Sequence, residues 1–349
     1  MTLRRKLVGP ASATLCLVMS LAGVVRIARA GSLSSSILGM LPKNLGEVGY
    51  ADLRSARRAA WFPQFEAQVL PLRFERFQEF LRSAGLDVDK QVEEIAWAAA
   101  LPPKPPSGKT SAPAGDQAAP AQKFSGEQVV GIALGSFTPD VTAQFFTKQK
   151  LPSVTVRGYT LYAFGSGVSA GDLFFFFLDS NTVAFGHREI LEALIGVRFG
   201  DEESFLENDT LSPLVDEVNG QGTLWVALDS EYARTSIGRL MPEVEQYPGA
   251  ASLLARVKGM TASLQIDTGL DSQVIPHCGS ASDALTLAQL LQAGLLYKRY
   301  QAAQNNPDVA RAIDATSVSA DGDHLKIRTQ LSDDLLSALL KSSGFSLPI

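Results

Sequence analysis

The sequence predicts an α+β fold made of two similar α/β halves, with antiparallel or mixed sheets carrying helices on one face. Three observations lead there. Strand-like and helix-like segments alternate along the chain. Turn signals at Asp179-Ser180-Asn181 and Asp321-Gly322 mark hairpins, which a purely parallel sheet does not contain. The two halves also run through a similar order of elements, and they open alike: Gly49-Tyr50-Ala51-Asp52-Leu53 against Trp225-Val226-Ala227-Leu228-Asp229.

Taken in order, 48–53 reads as a strand. Residues 56–83 have helical spacing broken by Pro63 and Pro71, each of which removes a hydrogen bond and crowds the preceding turn. The best helical part, 72–83, sets Phe74, Phe77 and Leu81 on one face and stops near Gly85, a C-cap residue. Strands follow over 92–101 and 128–135, and then a helix over 139–148 with Thr138 placed to cap it. Short strands at 154–156, 159–164, 173–178 and 182–185 precede helices at 189–197 and 211–218. In the second half, 223–228 is a strand and 230–240 a helix, followed by strands at 260–266 and 273–277. A long helix over 280–303 carries Leu285, Leu287, Leu290, Leu291, Leu295 and Leu296 as its apolar face. Strands at 315–319 and 324–329 and a helix at 331–341 complete the pattern.

The first thirty residues read as an address. Arg4, Arg5 and Lys6 precede an uncharged apolar stretch from Leu7 to Val25, and Ala28-Arg29-Ala30 offers a small-x-small processing site. This is the order of a secretory signal, whose basic end stays behind while the apolar stretch enters the bilayer. A retained inner-membrane anchor is the alternative. Arg4-Arg5 loosely fits a twin-arginine signal, and Cys16 lacks the small preceding residue of a lipoprotein cysteine. Residues 31–44 read as an N-terminal linker, 45–220 as the first half and 221–349 as the second. The first half is interrupted at 102–126, which holds six of the chain's 18 prolines and reads as a disordered insertion.

Composition narrows the function. The 349 residues are 46% hydrophobic and 19% charged, enough to bury a core and too little charge for intrinsic disorder. The net charge of -5 becomes -10 once residues 1–30 are removed, because that segment carries five basic and no acidic residues. The remainder has no basic surplus with which to release counterions from nucleic acid. After such a cleavage only Cys278 of the two cysteines remains, so neither an intramolecular disulfide nor a thiolate cluster is expected, and its position at the end of an apolar run reads as buried.

No motif assembles a catalytic site. Gly167-Val168-Ser169-Ala170-Gly171 has the G-x-S-x-G form, yet a strand follows it where a nucleophile elbow requires a helix. The overlapping Gly165-Ser166-Gly167-Val168-Ser169-Ala170 fails as a dinucleotide loop for the same reason. His187, His277 and His324 are too dispersed to give a local metal scaffold, so no metal site and no cofactor are expected. Asp321, Asp323 and His324 are explained by turn chemistry, and Asp201-Glu202-Glu203 by a solvated charge run. His277 and Cys278 adjoin only in sequence, since strand neighbours point to opposite faces. Asn208-Asp209-Thr210 has the form of a glycosylation sequon. The ligand candidates are Phe174, Phe175, Phe176 and Phe177, which alternate between two faces; the strand is either buried on both or presents an apolar groove.

The run Gly49-Tyr50-Ala51-Asp52-Leu53-Arg54, the aromatic helix ending Phe77-x-x-Phe80-Leu81 with Gly85-Leu86-Asp87 after it, and Val92-x-x-Ile95 resemble uncharacterised secreted proteins from bacterial genomes, particularly of soil lineages. Val130-Gly131-x-Ala133-x-Gly135-x-Phe137 is similar to their second strand-helix unit. The resemblance covers about half of the chain, implies export and this α/β pattern, and brings no catalytic residue. The expectation is an exported bacterial protein, periplasmic or secreted, with a noncatalytic binding or structural role at the cell envelope. Its partner would be a protein or an apolar ligand. Membrane contact would occur only through the N-terminal segment, if that is retained. An exported hydrolase with a dispersed site is the alternative.

Overall fold

Where every residue of a strand is apolar, both faces of that strand must be covered, and this decides the layering of the molecule. The computed structural model describes residues 31–69, 72–100, 128–169, 171–240, 249–267 and 269–341. The expected signal segment 1–30 and insertion 102–126 lie outside the described residues.

The first half begins with α1 (Ser35–Leu38), β1 (Glu47–Asp52), α2 (Leu53–Ala56), α3 (Phe62–Val69), α4 (Leu72–Ser83) and α5 (Val88–Gln91). It continues through β2 (Val92–Ala100), β3 (Gln128–Gly135), α6 (Pro139–Gln149), β4 (Ser153–Val156), β5 (Tyr159–Phe164), β6 (Leu173–Phe177) and β7 (Thr182–His187), and ends with α7 (Arg188–Phe199) and α8 (Ser212–Val218). The second half comprises β8 (Leu224–Asp229), α9 (Ser230–Leu240), α10 (Ala250–Leu254), β9 (Gly259–Asp267) and β10 (Gly269–His277). Then come α11 (Ala281–Asn305), α12 (Pro307–Asp314), β11 (Thr316–Asp321), β12 (His324–Leu331) and α13 (Asp333–Lys341).

Among the described residues, these strands form one twelve-stranded sheet in the order β11-β12-β10-β9-β8-β1-β2-β3-β7-β6-β5-β4. Every pairing is antiparallel, and β1 meets β8 at the centre with Gly49 opposite Val226. The protein is therefore an α+β protein with a large antiparallel sheet.

The helices do not keep to one face, which corrects the expectation. On one face Val48, Tyr50, Ala98, Ile132, Phe174 and Phe176 pack with α7 and α8, through Leu191, Leu194 and Val215. On the other, Ala133, Val183 and Phe175 pack with Leu81 of α4 and Phe146 of α6, and further along the sheet Leu228 and Met260 pack with α9. The helices of the second half, α9 to α13, keep to one side, while α8 covers β8 and β9 on the other. That other face also carries the exposed Ser317 and Ser319, with Asp271 accepting hydrogen bonds from Arg328 (3.0 Å) and Gln330 (3.0 Å).

Four further expectations change. Residues 31–44 are no linker, because Leu33, Ile37, Leu38 and Leu41 are buried in the central core. Thr138 precedes α6 without a side-chain capping bond; Pro139 at the start of the helix lacks an N–H in any case. Sequence reading passes over α12, although Asn306 accepts the Val309 N–H and Pro307 occupies the first turn, the signature of a helix start. The long helix α11 buries Leu287, while Leu285, Leu290 and Leu296 are exposed. Its leucines are spread around the helix instead of forming one stripe.

The sequon asparagine is structural. Asn208 donates to the carbonyls of Lys43 (2.7 Å) and Leu45 (3.2 Å) and accepts from the Thr210 and Leu211 N–H groups, so it ties the N-terminal segment to the start of α8. Asn208→Ala leaves these buried groups unpaired. Urea denaturation is expected to show a loss of about 1–2 kcal/mol, with an unchanged m-value.

Candidate functional site

Phe185 and Phe175, which line the cavity, end a row of cross-strand neighbours. Gly49, Trp97, Gly131, Phe185 and Phe175 are successive partners across β1, β2, β3, β7 and β6, and side chains in direct register share a face. A side chain on Gly49 would overlap the Trp97 ring, and one on Gly131 would overlap the Phe185 ring. The two glycines therefore let these rings lie flat across the neighbouring strand. Trp97 is held there by its indole N–H, which donates to Glu47 Oε1 at 2.8 Å.

Above this floor the chain makes a sharp turn after α4. The Leu86 N–H reaches back to the Leu81 carbonyl at 2.8 Å and buries Leu86 beside Leu81. Thr142 Oγ1 of α6 donates to the Ala84 carbonyl at 3.1 Å, and the Ser136 N–H donates to Gln91 at 3.0 Å. These bonds fix α4, α5 and α6 over the sheet and bring Phe137 to the side of the space between them.

The space is a cavity of about 160 Å³, with walls that include Leu81, Leu86, Val92, Ala133, Phe175 and Phe185. Arg57, Gln78, Asp87 and Gln91 are the polar residues on its lining, and three of them are engaged by neighbouring groups. Arg57 donates to the carbonyls of Val92 (2.6 Å) and Val88 (3.3 Å), and Gln91 Oε1 accepts the Asp87 N–H at 2.8 Å. Lys90, 2.8 Å from Asp87, holds that carboxyl below its ordinary range by a hydrogen bond. An apolar cavity of roughly 150 Å³ stays dry and accepts a benzene-sized guest.

The four phenylalanines part as alternation requires. Phe174 and Phe176 enter the core on the far face, while Phe175 and Phe177 turn toward α6. Phe174, Phe175 and Phe176 are 2%, 1% and 0% exposed, so the run itself offers no open groove, and of the four only Phe175 reaches the cavity lining. Sequence reading missed the rest of the wall. The available signal was Gly131, a glycine inside an otherwise apolar strand, which marks a close approach.

The G-x-S-x-G stretch lies between two strands, β5 and β6. Ser169 sits in the exposed loop between β5 and β6, its Oγ accepting the Gly171 N–H at 3.4 Å. Asp172 accepts from Ser166 Oγ (2.8 Å) and the Ser169 N–H (3.1 Å), which closes the turn. His187 Nδ1 accepts the Val129 N–H at 3.2 Å. Cys278 is buried, and burial pushes its thiol up from the ordinary value, so it is held as the inert thiol. The sheet does unite two residues the sequence left apart: His277 and His324 are cross-strand partners with ring centroids 4.3 Å apart.

The fold and the cavity define a class: an α+β protein with helices on both sides of one antiparallel sheet and a small apolar pocket between sheet and helices. Solved structures similar to it include crystal forms of TP0453. Crystal form III matches with a TM-score of 0.50 at 10% identity, covering 86% of this chain and 96% of that one. Crystal form I matches at 0.49 and 10%, covering 87% and 96%. At this identity the likeness is one of fold. No family model and no curated protein matches the chain. Among the described residues, no helix is long and apolar enough to cross a membrane.

Proposed function

We propose that the chain is an exported bacterial protein of the cell envelope that binds a small apolar molecule without transforming it, in the cavity beside Phe175. The observation that carries this reading is the combination of a largely apolar cavity of about 160 Å³ with Arg57 and Gln91 on its lining engaged by the backbone. A chamber of this size accommodates a benzene-sized ring or the end of a single acyl chain. Export is supported by the basic, apolar and small-x-small order of residues 1–30. Native mass spectrometry of the gently purified protein tests the reading. An apolar adduct that Ala133→Leu abolishes is the expected result. An adduct retained in Ala133→Leu, or a wild type that stays unliganded when offered hexanol and benzene, overturns it.

We also infer that the two halves are divergent copies of one unit. Asp52 ends β1 and caps α2 through the Ser55 N–H, and Asp229 ends β8 and caps α9 through the Glu231 and Tyr232 N–H groups. The bonds between the halves are reciprocal, Asp52 N–H to Thr223 and Asp229 N–H to Gly46, each 2.8 Å. The orders β1-β2-β3-β7-β6 and β8-β9-β10-β12-β11 correspond, with β4 and β5 as an addition to the first copy.

A further inference from the structure

His277 and His324 face the same side of the second half, the polar side of the sheet. His277 is in register with His324 on one neighbour and with Gly259 on the other. Gly259 lets α8 sit down on the sheet here, since a Cβ at that position would come within 2.6 Å of Leu214 Cδ1. Glu217 lies one helical turn beyond Leu214 and so projects over the histidine pair. Its Oε2 is 3.2 Å from His277 Nε2. That nitrogen is buried without a hydrogen bond, because the carboxylate beside it sits off hydrogen-bonding geometry. A buried nitrogen left in this state has a lone pair or a proton with no acceptable partner, a costly arrangement unless something else fills the gap.

We propose that Glu217, His277 and His324 bind one divalent transition-metal ion of the zinc class, with a further position open to water. One ligating atom from each residue lies within 4.8 Å of the others. Bonds of about 2.0–2.1 Å in a tetrahedron hold ligand atoms roughly 3.4 Å apart, so side-chain rotation alone closes the set. Two imidazoles and one carboxylate suit zinc, nickel or copper and not calcium or magnesium, which prefer all-oxygen shells. Asp323, 2.9 Å from His324 Nδ1, supplies the carboxylate that commonly orients a ligating imidazole. Cys278 points to the opposite face, among Ala284, Leu287 and Leu325, and takes no part.

The test is titration of tag-free, chelator-treated protein with zinc chloride by calorimetry, and with cobalt(II) by visible absorption. One equivalent of each is expected to bind, with a tetrahedral cobalt spectrum, and magnesium is expected to give no signal. Glu217→Gln and His324→Gln, at partly exposed positions, are each expected to weaken binding at least tenfold, and Asp323→Asn about 10–100-fold. Circular dichroism of each variant separates lost ligation from lost fold. Absence of stoichiometric binding by the wild type overturns the proposal, as does binding that survives in folded Glu217→Gln and His324→Gln. The cavity is a separate feature, so neither result bears on the apolar ligand.

Discussion

Phe176→Ala is expected to destabilise the protein by about 3–5 kcal/mol, the cost of deleting a large aromatic side chain from a packed core. Phe176 is fully buried, pairs with Ala184 across the sheet and packs against the Tyr159 ring at 5.2 Å between centroids. It belongs to the central cluster that α7 and α8 cover, where the surroundings are held by rigid strands and collapse poorly into a void. Total stabilities of domains run to about 5–15 kcal/mol, so a loss of this size shifts the denaturant midpoint far toward zero. The adjacent Phe177 provides the control. It is only partly buried, so Phe177→Ala is expected to cost well under half as much. Equal losses at the two positions would contradict the difference in their burial.

Gly131→Val is the second large effect. Its side chain would enter the space of the Phe185 ring, and Trp97 occupies the neighbouring position on the other flank. Overpacking of this kind costs roughly 1–3 kcal/mol, and the upper end is expected because strands on both sides hold the backbone in place. Phe185→Leu in the Gly131→Val background should recover part of the loss, giving a non-additive double-mutant cycle. Strict additivity would show that the ring does not depend on the glycine.

Local chemistry was legible in the sequence, and much of the fold followed from it. Alternation and turn residues placed the strands. At Asp179-Ser180-Asn181 the Asn181 N–H indeed bonds Asp179 Oδ1 at 2.7 Å, and Gly322 takes positive φ in the last hairpin. What failed depended on partners distant in the chain. Helices were expected on one face, yet strands such as β2 bury Ala98 and Ala99 on opposite sides, which requires cover on both. Leu33 and Leu41 looked like linker residues because a short segment that joins a core already built by others carries little periodicity of its own.

The sites were less legible than the fold. Phe175 was among the candidates, but the cavity it lines is also lined by Leu81, Leu86, Ala133 and Phe185, which come from separate elements. Their meeting is a tertiary fact that no local spacing encodes. His277 and His324 are separated by α11, α12 and β11, and only the pairing of β10 with β12 sets them side by side.

The central claim is that the chamber beside Phe175 receives an apolar guest, and thermal denaturation with and without benzene tests it most directly. At a free concentration ten times its dissociation constant, a guest that binds only the folded state adds about 1.4 kcal/mol, which raises the Tm by a few degrees. The account predicts this rise in the wild type and its loss in Ala133→Leu, where the added side chain occupies the chamber. An unchanged wild-type Tm at saturating benzene, or an equal rise in both proteins, would contradict it.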